Sequence, residues 1–175
     1  MKRSTLINST FASLVFLAFT TTATQAQTQF TLSTYAAKFV CGKSEKIASP
    51  GQYFTMINVH NASPLKKAAY LKRFAIALPE ERPGKISEFV GGTLAPEEAM
   101  TIDCENIYKH TQVPSGQFLE GFAIIYALSE LDVVSVYTAG HSEVESIHTE
   151  RVPLRKLVIG RTHAIAQRLR REDSQ

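Results

Sequence analysis

The chain contains no tryptophan and only two cysteines, Cys41 and Cys104, among 175 residues. A true immunoglobulin domain packs a core tryptophan against its disulfide, so the missing residue leaves only the architecture of that class open. The two cysteines are far apart in sequence. That excludes a thioredoxin-type redox pair, which places them two residues apart. No apolar run reaches the roughly 20 residues that a membrane-spanning helix needs. No serine sits in a G-x-S-x-G turn, so a nucleophile elbow is absent. Gly91-Gly92 is not followed by Lys-Ser or Lys-Thr and is not a phosphate loop. Internal repeats, low-complexity tracts and linkers are also missing, and the length fits one domain.

What is present begins with an address. Lys2 and Arg3 precede an uncharged apolar run centred on Leu14 to Phe19, and small or polar residues lead to Ala23-Thr24-Gln25-Ala26. A basic head, a short apolar middle and a small-residue exit predict a secretory signal peptide over residues 1–26. No cysteine adjoins the expected cut, which argues against a lipoprotein anchor. The predicted working protein is therefore residues 27–175, secreted or periplasmic, with no transmembrane segment. An oxidising compartment makes a Cys41–Cys104 disulfide the default reading, with two buried free thiols as the rival.

The net charge of +3 hides a split. Residues 27–150 carry ten Lys and Arg against 14 Asp and Glu, whereas residues 151–175 carry seven against two. An acidic body disfavours nucleic-acid binding, because phosphate contacts need clustered Lys or Arg. The basic tail is the candidate contact for an acidic protein, an anionic surface or the body itself, through Arg161, Arg168, Arg170 and Arg171.

The body reads as short strands between turn signals. In Phe30–Cys41, Tyr35, Ala37, Phe39 and Cys41 alternate onto one face, and in Gln52–Asn61 so do Tyr53, Thr55, Ile57 and Val59. Lys85–Val90, Phe118–Leu128, Leu131–Thr138 and Glu143–Val152 supply further strands, as does Ala68–Leu78, where a helix over the alanines is the alternative. Only Ser129 and Glu130 separate the apolar Phe118–Leu128 from Leu131–Thr138, which predicts a hairpin. Asp103 is a fair N-cap for a helical turn over Glu105–His110. About seven short strands predict an all-β, antiparallel, immunoglobulin-like sandwich over residues 27–156. The tail, residues 157–175, is predicted to be either a short helix with Val158, Ile165 and Leu169 on its stripe, or disordered.

Candidate chemistry is sparse. With Ala139-Gly140 read as a turn, His141, Glu143 and Glu145 alternate onto one face of a strand, and such a trio could ligate a divalent metal. A solvent-facing polar edge explains the same pattern. Glu80-Glu81 and Glu97-Glu98 stand beside prolines in loops and read as solvated charge. No motif calls for a cofactor.

Taken together, the segments YAAKFVCG, PGQYFTMINVHN, FLEGF, ELDVVSVYTAG and IHTERVP resemble a group of small exported bacterial proteins of uncharacterised function, over residues 33–155. The resemblance implies one sandwich domain and a bacterial host, and brings no activity or site residue. A looser similarity of layout connects the chain to the sensory rhodopsin transducer family, small β-sandwich proteins that bind partners or small ligands. The first expectation is thus a non-enzymatic exported protein that binds a protein, a surface or a small ligand. The alternatives are a small secreted metal-dependent hydrolase using the His141, Glu143, Glu145 face, and an envelope protein assembling through strand edges, notably the pair Phe118–Thr138.

Overall fold

The computed structural model describes residues 29–141, 144–161 and 163–175. The predicted signal peptide lies outside the described residues. The described chain is mostly antiparallel strand. In order it runs β1 (Gln29–Ser44), β2 (Gly51–His60), β3 (Ala68–Ala77), β4 (Pro83–Ile86), β5 (Val90–Leu94), β6 (Ala99–Asp103) and α1 (Cys104–Thr111). It continues with β7 (Leu119–Ala127), β8 (Asp132–His141), β9 (Val144–Arg151), β10 (Arg155–Gly160) and α2 (Ala164–Asp173).

The strands form two ladders joined by β1. In the first, β10 pairs β1 from Gln29 to Thr34, β1 pairs β7 from Ser33 to Cys41, β7 pairs β3, and β3 carries β4 and β5 on its far side. In the second, β6 and the end of β1 pair β2, β2 pairs β8, and β8 pairs β9. The transfer happens at Gly42, whose φ of +85° suits glycine. A Cβ there would stand 2.4 Å from the Gln117 carbonyl oxygen. Residues from both ladders meet in one core. Tyr35, Ala37, Phe39, Phe74, Ala123 and Ile125 come from the first, and Ile57, Val59, Ile102 and Val133 from the second. The period-2 reading of β1 and β2 therefore gives their buried faces.

The disulfide is present. Cys41, at the end of the β1–β7 ladder, is bonded to Cys104, the first residue of α1, with Cα atoms 5.7 Å apart. The N-cap reading also holds. The Asp103 carboxylate accepts from the Asn106 amide at 2.8 Å, and the Asn106 side-chain oxygen accepts from the Asp103 amide at 3.2 Å. This reciprocal pair satisfies two of the free donors at the start of α1.

Three expectations change. First, β7 and β8 do not form a hairpin. β7 lies between β1 and β3, β8 between β2 and β9, and the chain crosses between ladders at Ser129-Glu130. One hydroxyl pins this crossing: Tyr35 Oη donates to the Leu131 carbonyl and accepts from the Leu131 amide, both at 2.8 Å. Neither strand offers an open edge, so the pair Phe118–Thr138 cannot supply strand-edge assembly. Second, the described residues hold ten strands rather than about seven: the short β5 and β6 bracket a turn that blurs their pattern, and β10 falls largely in the segment read as the tail. Third, the boundary at residues 156/157 falls inside β10. The basic tail is therefore continuous with the sheet, and α2 packs beyond it. Ala166 and Leu169 of α2 are fully buried, and Leu169 joins Leu32, Leu71 and Tyr126 in a second apolar cluster on the outer side of the first ladder.

The turn between β3 and β4 places Glu80 and Glu81 in succession at φ 61° and 58°. Two consecutive left-handed residues are what an Asn-Gly pair supplies at no steric cost. The double replacement Glu80→Asn, Glu81→Gly is expected to stabilise the protein by about 1 kcal/mol, since each strained residue costs about 1 kcal/mol and the greater chain entropy of glycine offsets part of the sum. Urea unfolding checks this, and no gain in midpoint would show that the turn carries no strain.

Candidate functional site

A cleft of about 320 Å³ lies between β1 and the β8–β9 hairpin. β1 contributes Lys38 and Val40; β2 contributes Tyr53 and Thr55; β8 contributes Tyr137 and Ala139; β9 contributes Ser146, His148 and Glu150. That volume is at the lower end of small-ligand sites, and few polar groups converge on a mostly apolar surface, as such sites do.

The sequence builds the cleft by letting one ladder outreach the other. Val133 and Ser135 of β8 point into the core and are buried. By alternation Tyr137 and Ala139 lie on the same side. Their register partners on β9 are Glu150 opposite Ser135, His148 opposite Tyr137 and Ser146 opposite Ala139. Directly opposite residues share a face. So Ser146, His148 and Glu150 continue the core-facing side of the second ladder, yet β9 is exposed at every residue from Glu145 to Arg151. No strand of the first ladder covers them.

The polar groups are organised. The His148 ring stacks on Tyr137, with centroids 6.0 Å apart and planes 19° apart. The Tyr137 hydroxyl donates to the Glu150 carboxylate at 3.2 Å. Burial raises the Tyr137 pKa, and the nearby Glu150 charge adds to the rise. The phenol therefore stays protonated as a donor. On the opposite wall Thr55 Oγ1 accepts from the Val40 amide and donates to the Val40 carbonyl, both at 2.9 Å. Lys38 pairs with Glu120 at 3.1 Å. The arrangement can grip an apolar or aromatic body and offer it a donor, an acceptor and an imidazole.

The residues singled out from the sequence are placed differently. Ala139-Gly140 is no turn: β8 continues through it to His141, with Gly140 opposite Glu145 and His141 opposite Val144. His141 and Glu145 thus belong to different strands, and Glu143 lies outside the described residues, so the three do not line one strand face. Among the described residues no group of three His, Cys, Asp or Glu could hold a metal. Arg161 directly follows β10, and Arg168, Arg170 and Arg171 lie on α2. Arg170 stands over the Phe30 ring at 4.3 Å and Arg161 over the same ring at 5.7 Å. Arg168 lies over Phe89 at 5.8 Å and donates to the Phe89 carbonyl at 2.9 Å, whereas Arg171 is exposed. Sequence reasoning missed Tyr137, His148 and Glu150 as a set. The Ser146-His148-Glu150 alternation was legible, but its face depends on where β8 ends.

A second ionisable group lies inside. Lys72 points into the core from β3, with its amine 5.9 Å from the Tyr70 ring centroid. Burial lowers its pKa, and the Asp103 charge opposes that shift. His110, stacked on Phe74, has its pKa lowered by burial and then by Lys72 and Lys109.

No helix among the described residues is long and apolar enough to cross a membrane. No family model matches the chain, and no curated protein matches it. Among solved structures, the chain is similar to one titled "Crystal Structure of Thermotoga maritima 1070", at 6% identity and a TM-score of 0.44, over 71% of this chain and 93% of that one.

Proposed function

We propose that the chain is an exported, non-enzymatic binding protein of immunoglobulin-like sandwich architecture, and that its ligand sits in the cleft between β1 and the β8–β9 hairpin. One observation carries the reading: Ser146, His148 and Glu150 sit on a core-type face that no described residue covers, beside a stacked Tyr137–His148 pair. A protein gains little from exposing an organised aromatic and polar floor unless something occupies it. The signal sequence of residues 1–26 supports export, and the disulfide accords with an oxidising compartment.

The test is an NMR titration of the isotope-labelled protein with indole, a small aromatic probe with one donor. Amide shifts are expected to concentrate at Thr55, Tyr137 and His148. The substitution Tyr137→Ala should weaken binding by about tenfold, the equivalent of roughly 1.4 kcal/mol. Shifts scattered over the surface, or unaffected by that substitution, would falsify the reading.

A second reading keeps the arginines as a contact for an acidic partner. It is supported by Arg161, Arg168 and Arg171, which are exposed and have no carboxylate within salt-bridge range among the described residues.

A further inference from the structure

The cleft has a wall made of backbone. On the side of β1 away from β7, β10 pairs only as far as Thr34, and β2 begins to pair only at Gly42. Between them that edge has no strand partner among the described residues. The parity of the edge is fixed by Val40, whose amide and carbonyl both turn to the Thr55 hydroxyl, away from β7. Alternation therefore aims the amides and carbonyls of Ala36 and Lys38 the same way. Thr34, two residues before Ala36, meets β10 on this same side. The result is two donors and two acceptors in a row, capped at one end by a threonine side chain and at the other by the start of β10.

This gap faces the uncovered floor of the second ladder. Along this gap the first ladder stops at β1, while the second continues to β9, whose core-side residues Ser146, His148 and Glu150 are exposed. What is missing from this half of the molecule has the shape of one strand, laid beside β1 and above β9. Backbone amides and carbonyls repeating every second residue match another extended backbone, and few other chemistries supply that repeat.

Resting on the proposed reading of the cleft, we infer that its ligand is an extended segment of another polypeptide, which adds a strand to β1 at Ala36–Val40. Its alternate side chains descend onto the Tyr137–His148 pair. The paired stretch is about five residues, a typical strand length. Main-chain pairing supplies the affinity, and the aromatic floor selects apolar or aromatic side chains at every second position. Open edges of this kind recruit partner strands unless they are blocked. Here the exposed Lys38 is the one charge on the gap, and its pairing with Glu120 draws it toward β7.

The test selects peptides from a phage-displayed library of random seven-residue sequences against the purified full chain. Selected peptides are expected to alternate apolar and polar residues and to slow amide exchange specifically at Ala36 and Lys38. N-methylation of such a peptide at alternate residues should weaken binding by about tenfold or more in one phase and little in the other, because only one edge pairs. This readout leaves the protein untouched. Lys38→Pro should abolish binding while the β1–β7 ladder survives, since the amide it removes faces the cleft. If peptides bind without slowing Ala36 and Lys38, or if methylation in both phases is harmless, the inference is wrong. If indole enters the cleft but no library peptide does, the inference falls and the small-ligand reading stands. If neither binds, both fall. Sedimentation that shows dimers broken by Lys38→Pro would assign the edge to a second copy and overturn the proposal.

Discussion

Replacing both Cys41 and Cys104 with alanine is expected to cost about 4 kcal/mol, the loss that the chain-entropy relation assigns to a closed loop of this length. The two cysteines are 63 positions apart and the bond joins separate parts of the fold, the end of the β1–β7 ladder and the first turn of α1. Both are buried, so the substitution also leaves small voids in the core. A domain of this size has a stability of only about 5–15 kcal/mol, so the loss is a large fraction of the whole. Urea unfolding of the oxidised, reduced and double-alanine proteins measures it. A double-alanine protein within about 1 kcal/mol of the oxidised one would mean that the unfolded chain is already compact around this loop.

Leu169→Ala is expected to cost about 2–5 kcal/mol, the range for a fully buried leucine. The basis is its complete burial against Leu32, Leu71 and Tyr126, beneath a helix that packs on β3 and β5. The comparison is Arg171→Ala on the same helix, which is exposed and should change stability by no more than about 0.5 kcal/mol. The pair separates two views of the C-terminal region. Charge and position alone leave two readings open, a disordered basic tail and a short helix with an apolar stripe. The packing of α2 makes it a structural cover for the outer face of the first ladder. Thermal melting decides: equal melting of the two variants would return the region to the status of a tail.

The stripe of Val158, Ile165 and Leu169 had pointed to this cover, but only in part. Ile165 and Leu169 do face the second cluster, whereas Val158 belongs to β10 and is exposed. A helical period was read across a strand, a break and a helix. Elsewhere the local signals were sufficient. The alternation of Tyr35, Ala37, Phe39 and Cys41 gave the buried face of β1, and Asp103 gave the start of α1. What could not be read was neighbourhood. Period 2 assigns faces and says nothing about which strand lies alongside, so the short link Ser129-Glu130 read as a hairpin when it crosses between ladders. Gly140 read as a turn because glycine is common there, but its neighbours pair on into β9. The cleft was hidden for the same reason. Tyr137, His148 and Glu150 are joined by register, and the bare stretch of β1 is defined by where β10 and β2 stop.

The passage of β1 through both ladders also governs the order in which the chain can fold. β1 is the first described strand to be made. Apart from its short pairing with β2, its partners arrive late: Phe39 waits for Gly121, and Gln29 waits for Gly160 near the end of the chain. Until then it is an apolar strand with two unsatisfied sides. Closure of such distant pairs carries a large loop entropy and belongs to the slow, millisecond-to-second class of β proteins. The hairpin of β8 and β9, by contrast, can zip locally as soon as both strands exist. The native ladder of β1, β7 and β10 is therefore the last to be completed, and a chain interrupted before residue 155 emerges with β1 bare along the whole edge that β10 would have covered.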